Sequence, residues 1–94
     1  MANAPTRAQR RRWTEIAYMG CIICGGPAEV HHIHTGAGGR KNHDKTIALC
    51  FQHHTGKKHG IHGDLQRRGF EAIHGTEAEL LSKTEQLLSR RNAA

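Results

Sequence analysis

Apolar residues recur at helical spacing over residues 6–19 and predict a short helix that Gly20 ends. Two later runs, 29–34 and 46–50, are short and contain β-branched residues, which is typical of strands. The segment 35–45 between them is rich in glycine and basic residues and predicts a long exposed loop. We therefore expect two short antiparallel strands joined by this loop.

The last third of the chain predicts two more helices. One spans 64–74, with Asp64 as its N-cap. Its apolar residues Leu65, Phe70 and Ile73 are expected to pack against the core, and Gly75 ends the helix. The other spans 76–91 and begins with a capping box formed by Thr76 and Glu79, followed by a leucine stripe.

These elements predict a small α+β fold, with two strands, a helix that packs with them and further helices at both ends. We expect one domain, 1–94, made of a basic N-terminal helix or arm (1–20), a core (21–75) and a C-terminal helix (76–91).

The chain is too short to depend on its apolar core alone. It has 94 residues, of which 36% are hydrophobic, and domains of this size often need a metal, a disulfide or a partner. Three cysteines cannot all pair in disulfides, and nine histidines accompany them. The composition therefore favours a metal-stabilised protein in a reducing compartment.

The spacing of the cysteines predicts a structural zinc site. Two residues separate Cys21 from Cys24, and two separate Cys50 from His53. Two such pairs divided by a longer segment are the usual ligand pattern of tetrahedral Zn²⁺. His54 is the alternative fourth ligand, but His53 reproduces the two-residue gap.

The charge of the chain favours a polyanionic partner. Lysine and arginine total 14 against 8 aspartates and glutamates, a formal charge of +6 with histidine neutral. Nucleic acid is the first expectation, with contacts to phosphates rather than to bases. The candidate contacts are Arg40, Lys41, Lys45, Lys57, Lys58, Arg67 and Arg68. A membrane span and a signal peptide are not expected, so the sequence predicts a soluble, cytoplasmic protein.

Histidine motifs flank the expected loop. They are His31 and His32 before it, and Leu49, Cys50, His53 and His54 after it. Framed by Cys21 and Cys24, they resemble the ββα-metal motif of the HNH endonucleases. More narrowly, the motifs resemble the phage recombination-enhancement (Ref-type) nucleases in the segments 39–43, 46–50, 53–54, 61–63, 70–71, 75–76 and 79–81. The resemblance covers about residues 21–81 and implies a phage or prophage origin within a bacterial host cell.

The resemblance implies roles for four of the other histidines. His32 would be the general base that takes a proton from water, while His31 and His54 would hold a divalent metal. His62 would complete this second metal site, with His59 as its rival. The implied activity is metal-dependent hydrolysis of DNA, supported by Mg²⁺, Mn²⁺ or Zn²⁺, and the implied substrate includes DNA coated with a RecA-type recombinase filament.

Two features depart from the family pattern. The central asparagine is missing just ahead of the second strand, since Asn42 lies earlier and His43 occupies a place where relatives often have aspartate. In addition, successive strand residues point to opposite faces, so His31 and His32 share a site only where the strand ends or twists. His32 and His34 are therefore a competing pair.

Non-catalytic alternatives stay open at this point. The spare histidines also fit a second zinc site in a zinc-stabilised nucleic-acid-binding or adaptor protein. RNA is a third, weaker target. The sequence predicts no particular oligomeric state.

Overall fold

A computed structural model describes residues 4–33 and 42–92 and shows an α+β fold, as expected. In this part of the chain the elements are α1 (Arg7–Met19), β1 (Glu29–His32), β2 (Thr46–Leu49), α2 (Phe51–His54), α3 (Gln66–His74) and α4 (Glu77–Asn92). None of these helices is long and apolar enough to cross a membrane.

The two strands pair antiparallel and present two different faces. In the register His31 lies opposite Ile47, and His32 lies opposite Thr46. Side chains alternate across a strand, so His31 and Ile47 share one face while His32 and Thr46 share the other. This alternation decides which side of the sheet each histidine serves.

The sheet is covered on both faces, which explains why every residue of β2 is buried. On one face Ile47 and Leu49 join an apolar cluster with Phe70 of α3 and Leu80 of α4. On the other face Ala48 packs in a cluster with residues of α1 and α4. The short hairpin thus forms the middle layer of the molecule.

The first helix is held against the sheet by packing and by one arginine. Its Thr6 cap and Gln9 form a capping box, and Ile16 is fully buried. Arg12 donates from Nε to the Thr46 hydroxyl at 3.1 Å and from Nη2 to the Thr46 carbonyl at 2.7 Å. Its Nη1 pairs with Glu85 of α4. The predicted helix over 6–19 is confirmed.

Two details of the C-terminal half differ from expectation. Asp64 does not cap α3, because the helix begins two residues later, after Leu65, and its N-cap makes no side-chain hydrogen bond. Ile73 is 63% exposed, since α3 turns this residue away from the core that Phe70 enters. The capping box of α4 is confirmed by the Thr76 and Glu79 side chains, each of which accepts from the other's backbone N–H.

Candidate metal centres

Four residues that were predicted as zinc ligands come together. Cys21 and Cys24 lie in the turn after α1, Cys50 immediately precedes α2, and His53 lies within α2. One ligand atom from each lies within 4.8 Å of all the others. The turn is tight because Cys21 N–H donates to the Gly26 carbonyl at 2.9 Å. The four side chains are therefore close enough to hold one metal ion.

The distances between these atoms fit a tetrahedral ion. Cys24 Sγ lies 3.7 Å from Cys50 Sγ, and His53 Nδ1 lies 3.2 Å from Cys50 Sγ and 3.7 Å from Cys21 Sγ. Tetrahedral bonds of about 2.3 Å to sulfur and 2.05 Å to nitrogen place sulfurs about 3.8 Å apart, and sulfur and nitrogen about 3.6 Å apart. Three thiolates and one imidazole are a common donor set for structural zinc.

The surroundings of the sulfurs also favour a bound cation. The backbone N–H of Ile23 donates to Cys21 Sγ at 3.4 Å. Burial raises the pKa of the Cys21 thiol, but backbone hydrogen bonds outweigh burial and hold that pKa below its usual value. Burial raises the pKa of Cys50. A bound metal would favour the anionic form of Cys50, since the metal compensates the lost hydration.

His54 lies in the second histidine group rather than among the cysteines. It follows His53 in α2, where neighbouring residues are turned about 100° apart, so the two rings face different sites. His54 joins His31 of β1 and His62, which follows α2 in the chain. The preference for His53 as the zinc ligand is thus supported by position.

The second group is a compact cluster of three imidazoles. One ring nitrogen each from His31, His54 and His62 lies within 4.8 Å of the other two. The ring centroids are 5.1 Å apart for His31 and His54, and 5.2 Å apart for the other two pairs. We call the cysteine–histidine group and this group of histidines the two metal-competent groups, and among the described residues His59 belongs to neither. We call His31, His54 and His62 the three-histidine cluster.

Backbone contacts position His62. Its N–H donates to the His54 carbonyl at 3.0 Å, so the chain returns directly onto α2. This return brings Gly63 against Gly56, where an added Cβ would lie 2.2 Å from the Gly56 carbonyl oxygen. Only glycine fits there without moving backbone, and the close approach seats His62 beside His54.

Two histidines of the cluster are each hydrogen-bonded to a carboxylate. His31 Nε2 donates to Glu77 Oε2 at 2.6 Å, and both side chains are only 5% exposed. His54 Nδ1 donates to Glu29 Oε1 at 2.8 Å. These bonds leave the other ring nitrogen, Nδ1 of His31 and Nε2 of His54, to serve as metal ligand. Histidine ligands of metals commonly carry such a carboxylate on their second nitrogen.

The electrostatics of the cluster favour neutral imidazole at His62. Partial burial lowers its pKa, and repulsion from His31 and His54 lowers it further. Neutral imidazole is the form that binds metals. The cluster is therefore suited to a divalent cation.

His32 lies away from the three-histidine cluster. Its Nε2 shares a hydrogen bond of 2.9 Å with His43 Nδ1, and its ring stacks edge-on against Trp13 of α1 at 5.5 Å. This is the face opposite His31, as strand alternation predicts. His34 lies outside the described residues, so the competing pair of His32 and His34 stays a prediction.

The basic residues are distributed around the surface. Lys45, Lys57, Lys58 and Arg68 are exposed, and Lys57 and Lys58 lie between His54 and His62 in the chain. Arg67 is exposed as well, but its Nη1 lies 3.9 Å from Glu77 Oε1, so part of its charge serves that carboxylate. Arg40 and Lys41 fall outside the described residues.

No protein-family model matches the chain, and no curated protein matches it significantly. The resemblance to HNH endonucleases therefore depends on the motif residues, and the geometry of the two metal-competent groups is the independent support for a metal-binding protein.

Proposed function

We propose that this protein is a metal-dependent DNA endonuclease of the HNH type, stabilised by a Cys3His zinc. The observation that carries the proposal is the three-histidine cluster, whose ligand nitrogens lie within 4.8 Å of one another beside a separate structural site. A second metal-competent group with only nitrogen donors is more than a small domain needs for folding. Open coordination positions at such a site are typical of catalytic metals.

The order of elements supports the same proposal. His31 lies on β1 of an antiparallel pair, and His54 lies on α2, which follows β2 directly. Two strands and a helix with a metal between them are the arrangement that names the ββα-metal family. The described elements agree with the motif that the sequence resembles.

In the proposed mechanism His31, His54 and His62 would hold a divalent metal, which would supply positive charge at the phosphate and the leaving oxygen. A side chain of the protein carries out the proton transfer. His32 takes a proton from the attacking water, and the hydrogen bond to His43 orients its ring. β1 ends at His32, and we propose that the scissile phosphate lies across this strand end.

Charge supports a nucleic-acid substrate. The formal charge of +6 attracts polyanions, and Lys57 and Lys58 lie in the turn that joins two cluster histidines. Contacts of this kind weaken steeply as salt rises and carry little sequence information. We propose DNA as the substrate, including DNA coated with a recombinase filament, as the resemblance to Ref-type nucleases implies.

A substrate panel tests this proposal. Purified zinc-loaded protein is incubated with plasmid, single-stranded DNA, RecA-coated DNA and single-stranded RNA, with Mg²⁺, with Mn²⁺ or with a weak chelator. We expect at least one DNA substrate to be cleaved, and we expect this cleavage to require added metal. Absence of cleavage on all substrates with both metals would contradict the nuclease proposal.

The alternative is a non-catalytic nucleic-acid-binding or adaptor protein. The observation that favours it is the separation of His32 from the three-histidine cluster onto the other face of β1. In that protein the cluster is a second structural zinc site. The same panel separates the two functions, since an adaptor binds RecA-coated or bare DNA in a salt-dependent manner and leaves it intact.

A further inference from the structure

Glu77 occupies an unusual position for a carboxylate. It lies in the first turn of α4, where acidic residues are common on the surface, yet its side chain is only 5% exposed. Buried carboxylates are costly unless they are paired and hydrogen-bonded. The contacts of its two carboxylate oxygens therefore indicate its role.

Both oxygens of Glu77 face charged or polar groups from other elements. Oε2 accepts the 2.6 Å hydrogen bond from His31 Nε2, and Oε1 lies 3.9 Å from Arg67 Nη1. The Glu77 backbone N–H donates to Glu71 Oε2 at 2.7 Å, so the start of α4 is also tied to α3. The carboxylate thus lies between His31 and Arg67, while the backbone of the same residue is fixed by α3.

The contact with His31 has a chemical consequence. A neutral imidazole carries one proton, and the acceptor beside Nε2 keeps the proton there. Nδ1 is then the unprotonated nitrogen, and the short bond limits rotation of the ring. A metal that binds in the three-histidine cluster meets a ligand whose orientation and tautomer are already set.

We propose that Glu77 is a positioning residue that presents His31 Nδ1 to the metal and thereby couples α4 to the candidate active site. The inference rests on the metal site of the proposed function and adds to it a residue 46 positions away from His31 in sequence. Glu29 does the same for His54 more weakly, since its side chain is 50% exposed and water competes for its oxygens.

Cobalt binding tests the role of Glu77 without any assay of activity. Zinc-loaded protein is titrated with Co²⁺, and the visible absorption bands report binding to nitrogen ligands, while thiolate-to-cobalt bands reveal any exchange into the cysteine site. The variants are Glu77→Gln, which keeps an oxygen acceptor, and Glu77→Ala, which removes it. Glu85→Gln is the control. Glu85 lies in the same helix, and its carboxylate pairs with Arg12 rather than with a histidine.

We expect the Kd for Co²⁺ to rise by about 10- to 100-fold in Glu77→Ala, by less in Glu77→Gln and not at all in Glu85→Gln. A purely structural Glu77 would lower the melting temperature and leave the Kd of the folded protein unchanged, which would overturn the proposal. In the metal-free wild type, long-range ¹H–¹⁵N spectra are expected to place the proton of neutral His31 on Nε2. A proton on Nδ1 would also overturn it, even if the variants fail to fold.

The outcomes for Glu77 and for the nuclease are distinguishable. A wild type that binds Co²⁺ through the cluster but cuts no DNA contradicts the nuclease and leaves the Glu77 inference supported by its Kd values. A wild type that binds no Co²⁺ beyond the zinc site overturns both.

Discussion

Replacing His32 by alanine is expected to abolish DNA cleavage. General-base catalysis contributes about 10²- to 10⁴-fold to rate, and the single-turnover rate should fall by that amount. DNA affinity should stay close to that of the wild type, because phosphate contacts from lysine and arginine supply most of it. The melting temperature should change little, since the His32 side chain is only partly buried.

His59→Ala is the matched control for this variant. His59 is exposed and belongs to neither metal-competent group among the described residues, so its loss should leave the cleavage rate unchanged. A His32→Ala protein that cuts as fast as the wild type would contradict the role of His32. Loss of folding or of DNA binding in this variant would also contradict it.

Replacing Cys50 by serine is expected to unfold most of the protein at room temperature. The variant loses a thiolate ligand of the candidate zinc site and places a hydroxyl among apolar core residues. Structural zinc contributes about 10–16 kcal/mol of binding free energy in small domains, against a typical total stability of about 5–15 kcal/mol. Circular dichroism melts and zinc content by mass spectrometry check this result.

Chelation of the wild type provides the control. A strong chelator should lower the melting temperature as the serine variant does, and added Zn²⁺ should restore it, because the sulfurs and His53 are intact. An unchanged melting temperature in Cys50→Ser, with one zinc still bound per chain, would contradict a structural Cys3His site.

The zinc ligands were predictable because their pattern is local. A gap of two residues places Cys21 and Cys24 on one turn, and the same gap places Cys50 and His53 at the start of one helix. Helix caps are equally local, which is why the Thr76 and Glu79 capping box is confirmed. The error at Asp64 concerns the end of a helix. Residues 64 and 65 form a turn, and α3 begins only at Gln66, although aspartate is a good capping residue.

Glu77 was not predictable by the same reasoning. In the sequence it is simply an acid in the first turn of a helix, a position that the helix dipole favours. Its contact with His31 depends on tertiary packing, since Leu80 of α4 and Ile47 of β2 belong to one apolar cluster. Strand alternation indicated that His31 and His32 share a site only where the strand ends or twists, but no sequence pattern indicated the contacts of His32 with His43 and Trp13.

We propose above that the three-histidine cluster holds the metal that supports DNA cleavage. The most direct measurement is the single-turnover cleavage rate against Mn²⁺ concentration for zinc-loaded wild type and His54→Ala. We predict a rate that saturates with Mn²⁺ in the wild type and is lost in the variant, which keeps one bound zinc and a cooperative melt. A His54→Ala protein that cleaves at the wild-type rate with the same Mn²⁺ dependence would contradict the account.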